Sequence, residues 1–162
     1  MIVLSITEKG DFMTKLLSKG AFDSFLLESA RIDMGVTYEI DGHINSKFYT
    51  KEELEAIPWS LVPWSEVQEH CRSCMKGKKA PSAFSIVLHL KDDFVPGVLK
   101  DVPDALSSIA ALVINIRLTE EGLRLITAVS RKGFSLDKQA EPVWDQTMRR
   151  FLDSKQIRFE EL

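Results

Sequence analysis

Two cysteines lie three residues apart in the stretch His70-Cys71-Arg72-Ser73-Cys74. This Cys-x-x-Cys spacing is typical of metal binding or of thiol–disulfide exchange. Reactive cysteines of that kind lie at helix N-termini, whereas the pattern here places both in the second half of a helix. We therefore expect Cys71 and Cys74 to face the core, and a metal or thiol site that includes His70 is the minor alternative.

Four basic residues, Arg72, Lys76, Lys78 and Lys79, lie in a stretch without acidic side chains, residues 71–91. One interpretation is a solvated helix end, because the helix dipole favours cations near a C-terminus. The other is a contact surface for an acidic protein partner or an anionic ligand. The single glycine among these residues does not have the spacing of a phosphate-binding loop.

Two tryptophans, Trp59 and Trp64, precede the same helix, each between a proline and a serine. An exposed indole is well suited to recognition, and a buried one fills the end of a core, so both interpretations stay open. If an indole is exposed beside the basic residues, residues 58–81 form a docking surface with a cationic rim. Binding there should weaken with salt, because the contacts are ionic.

His89 and Glu39 are the candidates for acid–base chemistry. His89 alternates with Ile86, Leu88 and their apolar neighbours, which predicts that it lies on the polar face of a sheet. The chain has no nucleophile elbow, no His-x-x-x-His motif and no glycine-rich fingerprint. An enzyme with its site near His89 is therefore the alternative to a binding protein. Its catalytic residues stay unknown, and no cofactor is expected.

The clearest structural signal is a long β-hairpin over residues 111–132, with a four-residue loop from Thr119 to Gly122. Gly122 can adopt the positive φ that such loops need. This register places every large apolar side chain on one face. The expected cross-strand pairs are Leu118–Leu123, Ile116–Leu125, Ile114–Thr127 and Leu112–Val129.

Two further strand patterns precede it. Residues 22–32 are predicted to be extended, with Leu26, Ala30 and Ile32 on one face and Phe25 and Leu27 on the other. The dipeptide Asp41-Gly42 is typical of a hairpin turn. The apolar pattern favours a loop one residue longer, because a register slip would expose a whole face. The expected pairs are Ile40–Ile44 and Val36–Phe48.

Helices are predicted from caps and from one-in-four apolar spacing. The expected N-terminal caps are Thr7, Thr50 and Ser65, the last in a capping box with Gln68. A C-terminal helix is expected to begin at Pro142 and to pack on the long hairpin. Its predicted buried residues are Trp144, Met148, Phe151 and Leu152.

The chain of 162 residues, 44% hydrophobic and 28% charged, is long enough for one domain, which we expect to cover residues 1–162. Hairpin connections between strands predict an α+β fold. We expect a single antiparallel sheet of about six strands with helices packed on one face.

The net charge of −3 argues against nucleic acid as a partner. No apolar run reaches the ~20 residues of a membrane span, and the first residues lack the pattern of a signal peptide. We therefore expect a small bacterial-type protein in the cytoplasm, with a homodimer as a further expectation. The function predicted from these residues is a non-catalytic binding or regulatory domain.

Overall fold

A computed structural model describes residues 1–162. The strands are β1 (Val3–Ile6), β2 (Phe25–Asp33), β3 (Thr37–Asp41), β4 (Val62–Pro63), β5 (Ala83–Leu90), β6 (Ile109–Thr119), β7 (Gly122–Arg131) and β8 (Phe159–Glu161). The α-helices are α1 (Lys9–Ser18), α2 (Lys51–Ala56), α3 (Trp64–Cys74), α4 (Val95–Val98) and α5 (Ala140–Ser154). Short 3-10 turns cover Asp92–Phe94 and Pro103–Ser108.

All eight strands form one antiparallel sheet in the order β3-β2-β5-β6-β7-β1-β8, with β4 paired to β2. The predicted α+β class and the single antiparallel sheet are confirmed. The sheet has eight strands rather than six because β4 and β8 are only two and three residues long. Such segments are too short to show the alternation by which a strand is recognised in a sequence.

The long hairpin has the predicted register, with Leu112 opposite Val129 and Leu118 opposite Leu123. Its loop is shorter than predicted, because Thr119 pairs with Gly122 and leaves a two-residue turn. Gly122 has a φ of 114°, so the expected positive φ is confirmed.

The predicted hairpin at Asp41-Gly42 is wrong. β3 pairs back to β2, with Ala30 opposite Ile40, and the chain then continues past Gly42 without turning. The Gly42 N–H donates to the Glu28 carbonyl at 2.9 Å. A Cβ at Gly42 would lie 1.8 Å from the Leu27 carbonyl oxygen. This glycine therefore serves a close approach of two backbone segments, and the pairs Ile40–Ile44 and Val36–Phe48 do not form.

A β-bulge between Leu27 and Ser29 changes the predicted faces of β2. Beyond the bulge Ala30 lies opposite Ile86, and before it Leu27 lies opposite Leu88. Leu27 therefore shares the core face with Ala30, and Leu26 turns to the other face. The predicted faces follow from an uninterrupted alternation, which a bulge breaks.

Only one of the three predicted helix caps is present. Thr50 forms a capping box with Glu53 at the start of α2. Thr7 does not cap α1, which follows Glu8, and Ser65 does not cap α3, which starts one residue earlier, after Pro63. The last helix, α5, begins at Ala140, two residues before the predicted Pro142.

The core is one cluster of 30 buried residues, packed between the sheet and helices that cover one of its faces. Trp144, Met148 and Leu152 of α5 are buried, as predicted. Phe151 is only half-buried, and its ring packs edge-on against Phe22 at 5.3 Å and Phe25 at 5.7 Å between centroids. None of the helices has the length and apolar composition needed to cross a bilayer.

Candidate functional site

Trp64 lies in the core and cannot contact a partner. Its side chain is completely buried, and its indole Nε1–H donates to the Leu16 carbonyl at 2.9 Å. Leu16 lies in the last turn of α1, where carbonyls have no partner within their own helix. Trp64, the first residue of α3, therefore supplies a hydrogen-bond donor to a carbonyl at the end of α1. Its burial agrees with the core-filling interpretation.

Trp59 is half-buried, and the Lys91 ammonium lies 5.4 Å from the centroid of its ring. This geometry is a cation–π contact. Trp59 precedes α3, whereas Lys76, Lys78 and Lys79 follow it. The 11 residues of α3 span about 16 Å. The structure therefore places the half-buried indole and the lysines at opposite ends of α3, and the cation beside the indole is Lys91 rather than a residue of the predicted cationic rim.

Arg72 is already paired within α3. Its guanidinium donates to Glu69 at 2.9 and 2.8 Å, and these hydrogen bonds hold the pKa of the Glu69 carboxyl below its usual value. Lys76, Lys78 and Lys79 are exposed, and the only lysine of the chain in an ion pair is Lys15. The unpaired cations of this region are thus the three lysines, which we call the basic loop.

The two cysteines lie where the core-face interpretation placed them. Cys71 is completely buried and Cys74 is half-buried, and both are free thiols. Burial raises the pKa of the Cys71 thiol to about 12. His70 is exposed, and no group of three or more histidine, cysteine or acidic side chains is arranged to hold a metal ion.

The raised pKa of Cys71 predicts unequal thiol reactivity. At about pH 8 the thiol is protonated, because thiolate forms only as the pH approaches the raised pKa. In the folded protein an aromatic disulfide reagent should react with Cys74 and spare Cys71, and both should react in denaturant. The Cys74→Ser variant should be almost unreactive when folded. Equal native labelling of both cysteines would contradict the burial of Cys71.

His89 and Glu39 do not form a common site. His89 Nε2 lies 3.6 Å from Glu28 Oε1. Glu39 instead pairs with Arg31 at 3.2 Å. His89 is opposite Leu26 and Glu39 is opposite Arg31, five residues further along β2, or about 16 Å. The structure therefore gives His89 a single carboxylate neighbour, Glu28, which the β2 bulge brings towards it.

The face of the sheet opposite the helices carries a feature that the sequence analysis missed, and we call it the open face. Four aliphatic side chains lie on four adjacent strands, β5, β6, β7 and β1, with the polar Asn115 in register between those of β5 and β7. All four are half-buried. This aliphatic stripe consists of Val87, Val113, Ile126 and Val3.

A row of arginines runs beside the aliphatic stripe. In register across the sheet, Arg31 faces Ser85, Ser85 faces Arg117, and Arg117 faces Arg124. Arg31 is paired with two acidic groups and Arg124 with Glu121. Arg117 is exposed, and no carboxylate lies within ion-pair distance of it. We call Arg31, Arg117 and Arg124 the arginine row.

Two grooves lie elsewhere on the surface. One, of about 780 Å³, separates α1 from the C-terminal segment, and the other, of about 650 Å³, separates α4 from α5. Both have mixed charged and apolar linings. None of the residues predicted from the sequence to form a site lines either groove.

No curated protein and no solved structure matches this chain. One protein family matches residues 15–160, which include nearly all of the sheet and helices described above, and it is described as a family of unknown function, DUF5721. The chain belongs to this family.

Proposed function

We propose that this chain is a non-catalytic binding domain that contacts an acidic protein partner through the basic loop. The observation that carries the proposal is the clustering of Lys76, Lys78 and Lys79, three exposed and unpaired cations within four residues. They stand out in a chain whose net charge is −3. Such a patch attracts acidic surfaces and raises the rate of encounter with them.

The placement of the acid–base groups supports binding over catalysis. His89 faces one carboxylate at 3.6 Å, and Glu39 is held by Arg31 at the other end of the strand. General acid–base catalysis needs groups within hydrogen-bond reach of one substrate. The Cys71 thiol, with its raised pKa, is a weak nucleophile.

We further propose that the protein is a single domain that works in the cytoplasm. The 30-residue core that extends from Leu4 to Ile157 supports one folding unit. The two free thiols support a reducing compartment, where disulfides are rare.

The test is a charge reversal of the basic loop. The probe is a fluorescein-labelled polyglutamate peptide, and binding is followed by fluorescence anisotropy at low and at physiological salt. The triple variant Lys76→Glu, Lys78→Glu, Lys79→Glu should lose at least about tenfold in affinity, and wild-type binding should weaken as salt rises.

The matched control reverses three exposed lysines outside the basic loop, Lys47→Glu, Lys51→Glu and Lys100→Glu, with the same change in net charge. It should keep the wild-type affinity. An equal loss in both triple variants, or no binding of the peptide by the wild type, would overturn the proposed function.

A further inference from the structure

The open face has the composition of a contact surface rather than that of a solvated one. Along the strands of an antiparallel sheet, apolar side chains on the core side usually alternate with polar side chains on the exposed side. Here the positions that alternate with the core residues of β5, β6 and β7 include Val87, Val113 and Ile126. Val3 of β1 lies directly opposite Ile126 and extends the aliphatic stripe to a fourth strand. Asn115 lies within this group, between Val87 and Ile126 in register. A small apolar patch bordered by charges is a feature of interaction sites.

The charges beside the aliphatic stripe indicate the sign of the charge that a partner would carry. Arg117 and Arg124 lie directly opposite each other on neighbouring strands, and like charges in that position destabilise a sheet. Glu121 compensates Arg124, and nothing compensates Arg117. A carboxylate supplied by a partner would remove this repulsion and would complete the pairing of the arginine row.

The basic loop lies at the same end of the sheet as the arginine row. It leads into β5, where the Ser82 N–H donates to the Asp33 carbonyl and Ala83 pairs with Asp33. The arginine row crosses β5 at Ser85, two residues beyond Ala83, or about 7 Å. The two groups of cations therefore lie at the same end of the sheet.

The size of the stripe identifies the kind of partner. Four strands at about 4.8 Å spacing, and two rows of side chains about 7 Å apart, enclose an area on the order of 100 Å², of which Asn115 occupies a part. A stable complex between two folded copies buries about 800 Å² on each. The stripe is too small for that, but it matches one helix, which is about 10 Å wide. Docking of an amphipathic helix on an apolar surface is a common mode of recognition.

We infer that the partner is an acidic amphipathic segment that lies across the open face, with its apolar side chains on the aliphatic stripe and its carboxylates on Arg117 and the basic loop. This inference rests on the proposed function and names the chemistry of its partner. Apolar contact supplies affinity that polyglutamate lacks, and the arginine row orients the segment.

The experiment compares two labelled peptides of about 15 residues, one an amphipathic repeat of leucine and glutamate and one with serine in place of each leucine. The wild-type protein should bind the leucine peptide at least tenfold more tightly. The double variant Val87→Thr, Ile126→Thr should abolish that preference, and Arg117→Glu should weaken binding of the leucine peptide about tenfold.

Both variants are designed to leave the fold intact. Threonine keeps the β-branched shape of valine, and Arg117 is exposed. The matched control, Val143→Thr with Arg150→Glu, makes the same kinds of change beside the α4–α5 groove and should have no effect. An equal affinity of wild type for the two peptides, with binding still lost in the basic-loop variant, would overturn this inference and leave the proposed function standing. No binding of either peptide would overturn both.

Discussion

The Gly42→Ala variant is expected to lose about 3 kcal/mol or more of unfolding free energy. The added Cβ would lie 1.8 Å from the Leu27 carbonyl oxygen and 2.6 Å from its carbon. Both are backbone atoms, so no side-chain rotation can relieve the clash. Relieving the clash would require the two backbone segments to move apart. That movement would strain the hydrogen bonds of Gly42 to Glu28 and to Val62, at 2.9 and 2.8 Å.

Urea denaturation measures this loss, and Gly35→Ala provides the matched control. Nothing lies within 4 Å of a Cβ at Gly35. Its backbone does not have a positive φ either. Its substitution should leave the midpoint unchanged or raise it slightly, because alanine restricts the unfolded chain. Equal midpoints for the Gly42→Ala variant and the wild type would show that the two backbone segments do not meet as described.

The Trp64→Ala variant should lose about 3–5 kcal/mol of stability, because it empties a completely buried site. It also leaves the Leu16 carbonyl without its donor. The Trp64→Phe variant should fall between the wild type and Trp64→Ala. It keeps an aromatic ring in the core but removes the N–H and part of the indole, and a buried acceptor left unpaired costs about 1–3 kcal/mol.

Trp59→Ala is the control of the same residue type. Trp59 is half-buried and makes one cation–π contact with Lys91, so its loss should cost about 1–2 kcal/mol, less than the loss of the completely buried Trp64. Both variants are compared by chemical denaturation. If Trp59→Ala proved as destabilising as Trp64→Ala, the assignment of one tryptophan to the core and the other to the surface would be wrong.

The long hairpin could be predicted from the sequence because its information is local. Side chains alternate with a period of two, so the pattern around Gly122 admits one register that buries Leu118 and Leu123 together. The bulge in β2 could not be predicted in this way, because one extra residue reverses the faces without any marker in the sequence. Gly42 misled for a related reason: a glycine after an aspartate is equally suited to a turn and to a close backbone approach.

The candidate site was only partly predictable. The lysines of the basic loop follow one another in the chain, so their clustering is visible in the sequence. Val87, Val113 and Ile126 alternate with core residues along their strands, so the sequence does show aliphatic residues on the second face of the sheet. That face was nevertheless expected to be polar. The position of Val3 beside Ile126 depends on the pairing of β1 with β7, which joins segments more than a hundred residues apart.

The most direct test of the central claim locates the bound partner on the protein. In protein labelled at valine and isoleucine methyl groups, titration with the acidic amphipathic peptide is followed by nuclear magnetic resonance. The account predicts concerted shifts of the methyl signals of Val3, Val87, Val113 and Ile126, while those of the buried Ile86 and Ile114 stay in place. Shifts confined to the α4–α5 groove, around Val98 and Val143, or the absence of shifts at the stripe, would contradict it.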